Sequence, residues 1–346
     1  LFPYTTLFRS QSVPKQFIDI LGVGKSLLQI TWERAAKYSS PENILLLTND
    51  TYRDLILTHL RDCTKENILV EPSRNNTAPC IAYAAFKLYK QNKDAVMVIL
   101  PSDHLILKED VYYQKINKAI AFADRHNALL TLGIQPLNPN TGYGYIHFEE
   151  NNDPVKKVIS FKEKPDRPTA ESYLASGDYL WNAGIFIWKA KDILDALKKY
   201  QPELFDLFKN GEPLYNTEKE LDFINENYPK SPNISIDYAV MEKADNVYTI
   251  PADMGWSDLG TWASLWDVKE KDEQQNVLIA SENTLRSNTH NSIISANKEK
   301  LQVIDGLDEY IVVDKQDVLL IYPKAKEQEI KNVMQSLEKR NANKYL

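Results

Sequence analysis

The chain has 346 residues, of which 43% are hydrophobic and 26% charged, as in an ordinary globular protein. Its net charge of −7 argues against nucleic acid or an anionic membrane as the main partner. The cysteines, Cys63 and Cys80, form no disulfide framework, and no apolar run reaches the roughly 18–20 residues that cross a bilayer. We therefore expect a cytoplasmic protein that binds neither nucleic acid nor membrane.

The N-terminal string LFPYTTLFRS, residues 1–10, is unusual. It lacks the charged and apolar regions of a signal peptide. It reads like translated sequencing adapter, so we interpret 1–10 as a non-native segment. We expect the native chain to begin near Gln11.

From Lys25 onward, short apolar runs alternate with segments whose apolar residues recur at helical spacing. The pattern predicts helices over 26–38, 51–60, 77–89 and 111–126, and strands over 43–48, 67–70, 95–100 and 128–133. Thr77 is the expected N-cap of the third helix. Repeated strand–helix units of this length predict a doubly wound parallel sheet, which binds ligands beyond the carboxyl ends of its strands.

Beyond Gly142 the pattern changes to alternating strands. It predicts strands over 142–148, 155–164, 181–188 and 247–251, with helices at 168–176 and between 188 and 243. Short apolar runs over 277–280, 292–296, 302–304, 310–313 and 318–322 predict a β-rich tail, closed by a helix over 325–339. We therefore expect a main domain over 11–275 and a small C-terminal domain over 276–346.

Two aspartates are candidate metal ligands. Asp103 follows a predicted buried strand directly, at the edge where a doubly wound sheet binds its ligand. Asp258 lies in GWSDLGTW, a turn before a short helix. Mg²⁺ prefers a few carboxylates together with substrate phosphate oxygens. The alternative for both residues is ordinary turn or helix capping.

The string FKEKP places Glu163 and Lys164 side by side. An acid that binds sugar hydroxyls therefore stands next to a base that binds phosphate, although a surface strand of mixed charge is the alternative. The loop EPSRNNTAP, at 71–79, ends at a helix N-terminus that suits a nucleotide or a plain turn. The string TGYGYI, at 141–146, fits either a strand entry or a close approach by a sugar.

Taken in order, PKQF, EP followed by NTAP, PSDH, GYGYI, FKEKP, WNAGIF, SIDYAVMEK and GWSDLGTW resemble the motif series of the mannose-1-phosphate guanylyltransferases, also called GDP-mannose pyrophosphorylases. The resemblance implies a Rossmann-like, GT-A-like α/β nucleotidyltransferase fold. Its mixed sheet would carry helices on both faces and be followed by a β-helix-like tail. The resemblance also implies conversion of GTP and α-D-mannose 1-phosphate to GDP-mannose and pyrophosphate, with Mg²⁺ as cofactor. A homodimer is expected because relatives are often dimers.

The resemblance also assigns roles to individual residues. Lys15 and Asp103 would be catalytic, and Asp103 and Asp258 would hold Mg²⁺. The guanine nucleotide would contact Glu71, Pro72, Asn76, Thr77 and Ala78. The sugar phosphate would contact Tyr143, Gly144, Glu163, Lys164 and Asn182.

Two departures from the family pattern stand out. The family carries a glycine-rich loop of the form GGxGTRLWPxSR before PKQF, whereas this chain reads LFPYTTLFRSQSV there. We expect the loop and the first strand to be missing, and little or no turnover by the chain as given. Asn75 stands where the family usually has arginine. The alternatives are another sugar-1-phosphate nucleotidyltransferase, or a non-catalytic sugar-nucleotide-binding or regulatory homologue.

Overall fold

The structure is a computed structural model that describes residues 14–279, 281–315 and 318–340. The segment 1–10, interpreted above as non-native, lies outside these residues. The chain forms two compact units. The large unit comprises 34–101 and 106–256, and the small unit comprises the described parts of 1–33, 102–105 and 257–346. The units interleave along the chain, and the domain boundary between 275 and 276 stays a prediction.

The helices and strands follow the predicted order closely. The helices are α1 (Leu27–Ala35), α2 (Arg53–His59), α3 (Thr77–Gln91), α4 (Glu109–Arg125), α5 (Arg167–Ser176), α6 (Ala190–Tyr200), α7 (Pro202–Lys209), α8 (Glu220–Asn227), α9 (Trp262–Val268) and α10 (Ile330–Lys339). The strands are β1 (Leu46–Thr48), β2 (Ile68–Val70), β3 (Val96–Ile99), β4 (Leu105–Ile106), β5 (Leu129–Ile134), β6 (Tyr145–Phe148), β7 (Lys156–Lys162), β8 (Tyr179–Lys189), β9 (Val247–Pro251), β10 (Trp256–Ser257), β11 (Val277–Ile279), β12 (Thr284–Ser287), β13 (Ile293–Ser295), β14 (Gln302–Asp305), β15 (Tyr310–Lys315) and β16 (Val318–Pro323).

The large unit is built on a six-stranded mixed sheet in the order β3-β8-β5-β9-β7-β6, and a separate parallel pair joins β1 to β2. Strand β8 runs antiparallel to both β3 and β5, while β5 and β9 are parallel. The parallel sheet predicted from strand–helix repetition was therefore wrong. Repetition alone cannot show that β8, which enters after the β6–β7 hairpin, inserts against the direction of its neighbours.

Helices cover both faces of this sheet because successive strand residues point to opposite sides. Leu129 and Phe186 join the core that packs on α3 and α6. Leu130 and Ile187, one position further along the same strands, join the core that packs on α4. This alternation makes the strands nearly continuous hydrophobic runs, as the sequence indicated.

The small unit contains the predicted C-terminal strands. β11, β13 and β15 are parallel and in register, β16 pairs antiparallel with β15, and β12 pairs with β14 in a second parallel layer. Residues of β11, β13 and β15 pack with Leu27, Leu259 and Trp262 in one core. Strand β12 was not predicted, because its sequence TLRS carries one apolar residue. The β-helical interpretation of these layers remains a prediction.

Within the described ranges, no helix combines the length and apolar character needed to cross a bilayer.

Candidate functional site

Glu163 and Lys164 lie just beyond the end of β7, in a fixed local conformation. The Glu163 amide donates to Oε1 of Glu242 at 2.9 Å, and the Lys164 amide donates to the main-chain oxygen of Tyr143 at 3.2 Å. Lys164 has φ of 47°, a left-handed conformation that is uncommon for a lysine. Its Nζ lies 2.6 Å from Oε1 of Glu163. The acid–base pair read from the sequence is thus held by its backbone.

Gly144 permits the close approach on which this pair depends. A Cβ added at Gly144 would lie 2.5 Å from Oε2 of Glu163 and 3.3 Å from Cβ of Asn182. The main-chain oxygen of Gly144 accepts a hydrogen bond from the Asn182 amide at 2.8 Å. A side chain at position 144 would therefore displace the Glu163 carboxylate from the space that it occupies.

Tyr143, whose main-chain oxygen accepts from the Lys164 amide, packs its ring against two tryptophans. Its ring makes edge-on contacts with Trp181 and Trp256, at centroid distances of 5.0 and 5.3 Å. The residues predicted to hold the sugar phosphate (Tyr143, Gly144, Glu163, Lys164 and Asn182) are thus linked by direct contacts or hydrogen bonds within the large unit.

Asp237 lies in the motif SIDYAVMEK, and the sequence assigned no role to this aspartate. In the structure, Nδ2 of Asn182 donates to Oδ1 of Asp237 at 3.0 Å. Burial, followed by the negative charge of Glu163, raises the pKa of Asp237 to about 7. The signal that could have found this residue was a carboxylate inside a quoted motif without an assigned partner.

Glu71 and Asn75 of the predicted nucleotide loop contact the 228–231 segment. Glu71 is buried and accepts a hydrogen bond from the hydroxyl of Tyr228, and burial raises the pKa of the Glu71 carboxyl. Asn75, at the position where the family usually has arginine, donates to the main-chain oxygens of Tyr228 and Ser231 at 3.3 and 2.8 Å. Asn75 therefore holds the loop to the 228–231 segment. Pro72 lies in the bend that follows β2.

Helix α3 begins at Thr77 as predicted, but its capping residue differs from the prediction by one position. Asn76, with φ of 69°, caps the helix by accepting from the Thr77 amide at 3.0 Å, so the prediction of Thr77 as N-cap was wrong. An asparagine tolerates this conformation better than a threonine, whose Cβ is branched. The Thr77 hydroxyl instead accepts from the Ile236 amide at 2.8 Å, and the Ala78 amide donates to the oxygen of Ile234 at 3.1 Å. The loop is thereby joined to the segment that ends in Asp237.

In the small unit, Lys15 contacts both aspartates that were predicted to hold a metal ion. Its Nζ lies 3.2 Å from Oδ2 of Asp103 and donates to the main-chain oxygen of Asp258. Burial raises the pKa of Asp103, but the charges of Lys15 and His104 and the hydrogen bond from Lys15 together outweigh it, and the net pKa lies below its ordinary value. The Asp103 carboxylate is therefore ionised at neutral pH.

The donor chemistry of this cluster fits Mg²⁺. Asp103 and Asp258 both act on the charge of the His104 ring, although burial dominates and lowers the pKa of that imidazole. Carboxylate oxygens are the ligands that Mg²⁺ prefers, and the ion commonly completes its shell with water and phosphate oxygens. No group of three or more potential ligands occurs among the residues that the structure describes.

The predicted residues thus fall into two sets, each of which the fold brings together in its own unit. Lys15, Asp103 and Asp258 belong to the small unit. The nucleotide-loop and sugar-phosphate residues belong to the large unit, where the 231–242 segment contacts both groups.

The chain is similar to known proteins in sequence and in fold. Residues 9–275 match the protein-family model described as nucleotidyl transferase; the match begins inside the segment 1–10. The mannose-1-phosphate guanylyltransferase of Klebsiella pneumoniae is 35% identical over 341 residues, which cover 96% of this chain and 71% of that protein. The protein of the same name from Salmonella muenchen is 37% identical over 340 residues, with coverages of 96% and 70%. A solved structure from Thermus thermophilus, described as mannose-1-phosphate geranyltransferase, has a TM-score of 0.85 and 25% identity, and the match covers 95% of this chain and 94% of that one.

Proposed function

The chain belongs to the nucleotidyl transferase family and is homologous to mannose-1-phosphate guanylyltransferases, and from this we propose that it transfers the guanylyl group of GTP to mannose 1-phosphate. A phosphate oxygen of mannose 1-phosphate attacks the α-phosphorus of GTP in line. The new oxygen–phosphorus bond forms as the bond to the β-phosphate oxygen breaks. Pyrophosphate leaves with the bonding electrons, and GDP-mannose remains.

The observation that carries this proposal is the fixed Glu163–Lys164 pair. Glu163 is buried against Gly144 and its carboxylate accepts a hydrogen bond from Lys164; a carboxylate is an acceptor that suits the hydroxyls of a sugar. Lys164 presents an ammonium group 2.6 Å from that carboxylate, which suits the phosphate of the same ligand. A sugar phosphate therefore finds both its recognition groups on adjacent residues.

The donor half of the reaction is assigned to two other groups of residues. The turn at Asn76, Thr77 and Ala78, which follows Glu71 and Pro72, receives the guanine nucleotide at the start of α3. Lys15 stabilises the charge that develops on the leaving pyrophosphate. This chemistry needs positioning and charge neutralisation rather than a covalent enzyme intermediate.

Asp103 and Asp258 are the residues that would hold Mg²⁺. The bound ion would neutralise negative charge on the phosphate oxygens of GTP. Asp103 is suited to this because the nearby charge of Lys15 keeps its carboxylate ionised. A cytoplasmic location and a homodimer remain predictions from the sequence.

Because the chain as given is expected to turn over little or nothing, the proposal is tested on the chain with a glycine-rich loop of the family form restored before PKQF. This protein is incubated with GTP, MgCl₂ and either mannose 1-phosphate or glucose 1-phosphate. We expect pyrophosphate release that requires both substrates and is faster with the mannose compound. ATP, UTP and CTP in place of GTP measure the choice of base. The test depends on the order of the rates with the different substrates rather than on the absolute rate, so it also applies to a slow enzyme. Absence of release by protein with a cooperative unfolding transition would contradict the proposed activity, and a preference for glucose 1-phosphate would contradict the proposed sugar.

A further inference from the structure

Asp237 occupies a position at which the nucleotide loop and the sugar-phosphate residues meet within the large unit. It begins a short π-helical turn, Asp237–Met241. The residue before it, Ile236, is held by the hydroxyl of Thr77 at 2.8 Å. Its own carboxyl accepts from Asn182 at 3.0 Å. Asp237 is therefore fixed from two independent directions.

The orientation of Asn182 is also fixed, which determines what it offers to Asp237. Its Oδ1 accepts from the buried hydroxyl of Thr131 at 2.8 Å and from the Gly184 amide at 3.1 Å. Because the main-chain N–H of Gly184 can only donate, the oxygen must face it and the amide nitrogen must face Asp237. The side-chain amide of Asn182 donates this hydrogen bond to a carboxyl oxygen of Asp237. That oxygen can accept it whether Asp237 is ionised or protonated.

The charges around Asp237 are predominantly negative. The end of β7 contributes Glu163 and Lys164, and the segment that follows Asp237 contributes Tyr238 and Glu242. The Ser235 hydroxyl also bonds to the Asp237 carboxyl. Among these groups the lysine is the cation, and it already pairs with Glu163 at 2.6 Å. Burial and the charge of Glu163 therefore favour the protonated form of Asp237 near neutral pH.

On the basis of the proposed function, we propose that Asp237 belongs to the sugar-phosphate site and takes up a proton from solvent when the phosphate dianion binds. The incoming phosphate attracts the ammonium of Lys164, which weakens its pairing with Glu163. The site then contains more negative charge than before. A proton on Asp237 offsets part of that charge without breaking the hydrogen bond from Asn182. Binding of the proton and of the phosphate therefore favour each other.

The experiment is calorimetric titration of the chain with mannose 1-phosphate at pH 8, in buffers that differ in ionisation enthalpy. At this pH the ligand is a dianion, because the second pKa of a phosphate monoester is about 6. We expect the wild type to take up close to one proton, and its affinity to fall by up to about tenfold per pH unit above pH 8. Asp237→Asn should take up no proton and bind with an affinity that is flat between pH 7 and 9. Asp253→Asn is the control, because Asp253 is an exposed aspartate of the same unit that pairs with Lys108.

The outcomes separate this inference from the proposed function. Proton uptake that persists in Asp237→Asn would place the proton on another group. Binding by the wild type without proton uptake would show that no proton is bound. Either result overturns the role of Asp237 and leaves the proposed function standing. Absence of binding by the wild type overturns both. Should Asp237→Asn fail to fold, Asp237→Ser takes its place in the test of which group binds the proton, and absence of uptake by the wild type still overturns the inference. A structural role for Asp237 would not produce a pH profile that the control lacks.

Discussion

Replacing Gly144 by alanine tests the packing on which the sugar-phosphate site depends. The added Cβ would lie 2.5 Å from Oε2 of Glu163, whereas ordinary contacts are about 3.5 Å, so the carboxylate must move by about 1 Å. The clash is with the end of a side chain, so we expect a folding cost at the lower end of the about 1–3 kcal/mol typical of overpacking. The displaced carboxylate cannot keep its position beside Lys164. We therefore expect the affinity for mannose 1-phosphate to fall by about tenfold to a hundredfold, that is by about 1.4–2.8 kcal/mol.

The assay is calorimetric titration with mannose 1-phosphate, together with the melting temperature of each variant. Gly142→Ala is the matched control, because it lies in the same loop and its added Cβ meets Oδ1 of Asn140 at 3.1 Å rather than the Glu163 carboxylate. The reasoning is refuted if Gly144→Ala binds like the wild type. It is refuted equally if Gly142→Ala loses as much affinity.

Three further predictions concern neighbouring residues. Lys164→Asn removes the ammonium group but suits the left-handed backbone, so its melting temperature should change little. Binding of the sugar phosphate should weaken by about 1.5–3 kcal/mol. The control variant Lys162→Asn should bind the sugar phosphate normally. Thr77→Val leaves the Ile236 amide without its acceptor and should lower the free energy of unfolding by about 1–3 kcal/mol, while Thr77→Ser should not; equal melting temperatures would contradict this. Because burial and then Glu163 raise the pKa of Asp237 to about 7, the folded protein binds that proton more tightly than the unfolded chain. As the pH rises from about 4 to about 7, the unfolding free energy of the wild type should therefore fall relative to that of Asp237→Asn. A difference between the two proteins that is independent of pH would contradict this prediction.

The sequence was most informative where local pattern decides the structure. The hairpin β6–β7 and the strands β8 and β9 were all expected near their observed positions, because each alternates or runs continuously apolar between turn residues. The sequence left open whether the two glycines around Tyr143 mark a strand entry or a close approach by a sugar, and it did not predict that the Glu163 carboxylate lies against Gly144.

What the sequence did not reveal depends on contacts between distant residues. Asp237 approaches Glu163 because the 231–242 segment is held by Asn75 and Thr77, and no local pattern encodes those bonds. The same holds for the position of β8 in the sheet. The cap of α3 is different, because both Asn76 and Thr77 are good capping residues and the backbone at Asn76 decides between them.

The central claim is that GTP and mannose 1-phosphate react on this protein. ³¹P nuclear magnetic resonance of the chain with the glycine-rich loop restored, together with both substrates and MgCl₂, tests it most directly, because each phosphorus atom can be followed separately. The account predicts that the two diphosphate resonances of GDP-mannose grow together with the pyrophosphate resonance in equal amounts. Release of inorganic phosphate alone, or no new diphosphate resonance from folded protein, would contradict it.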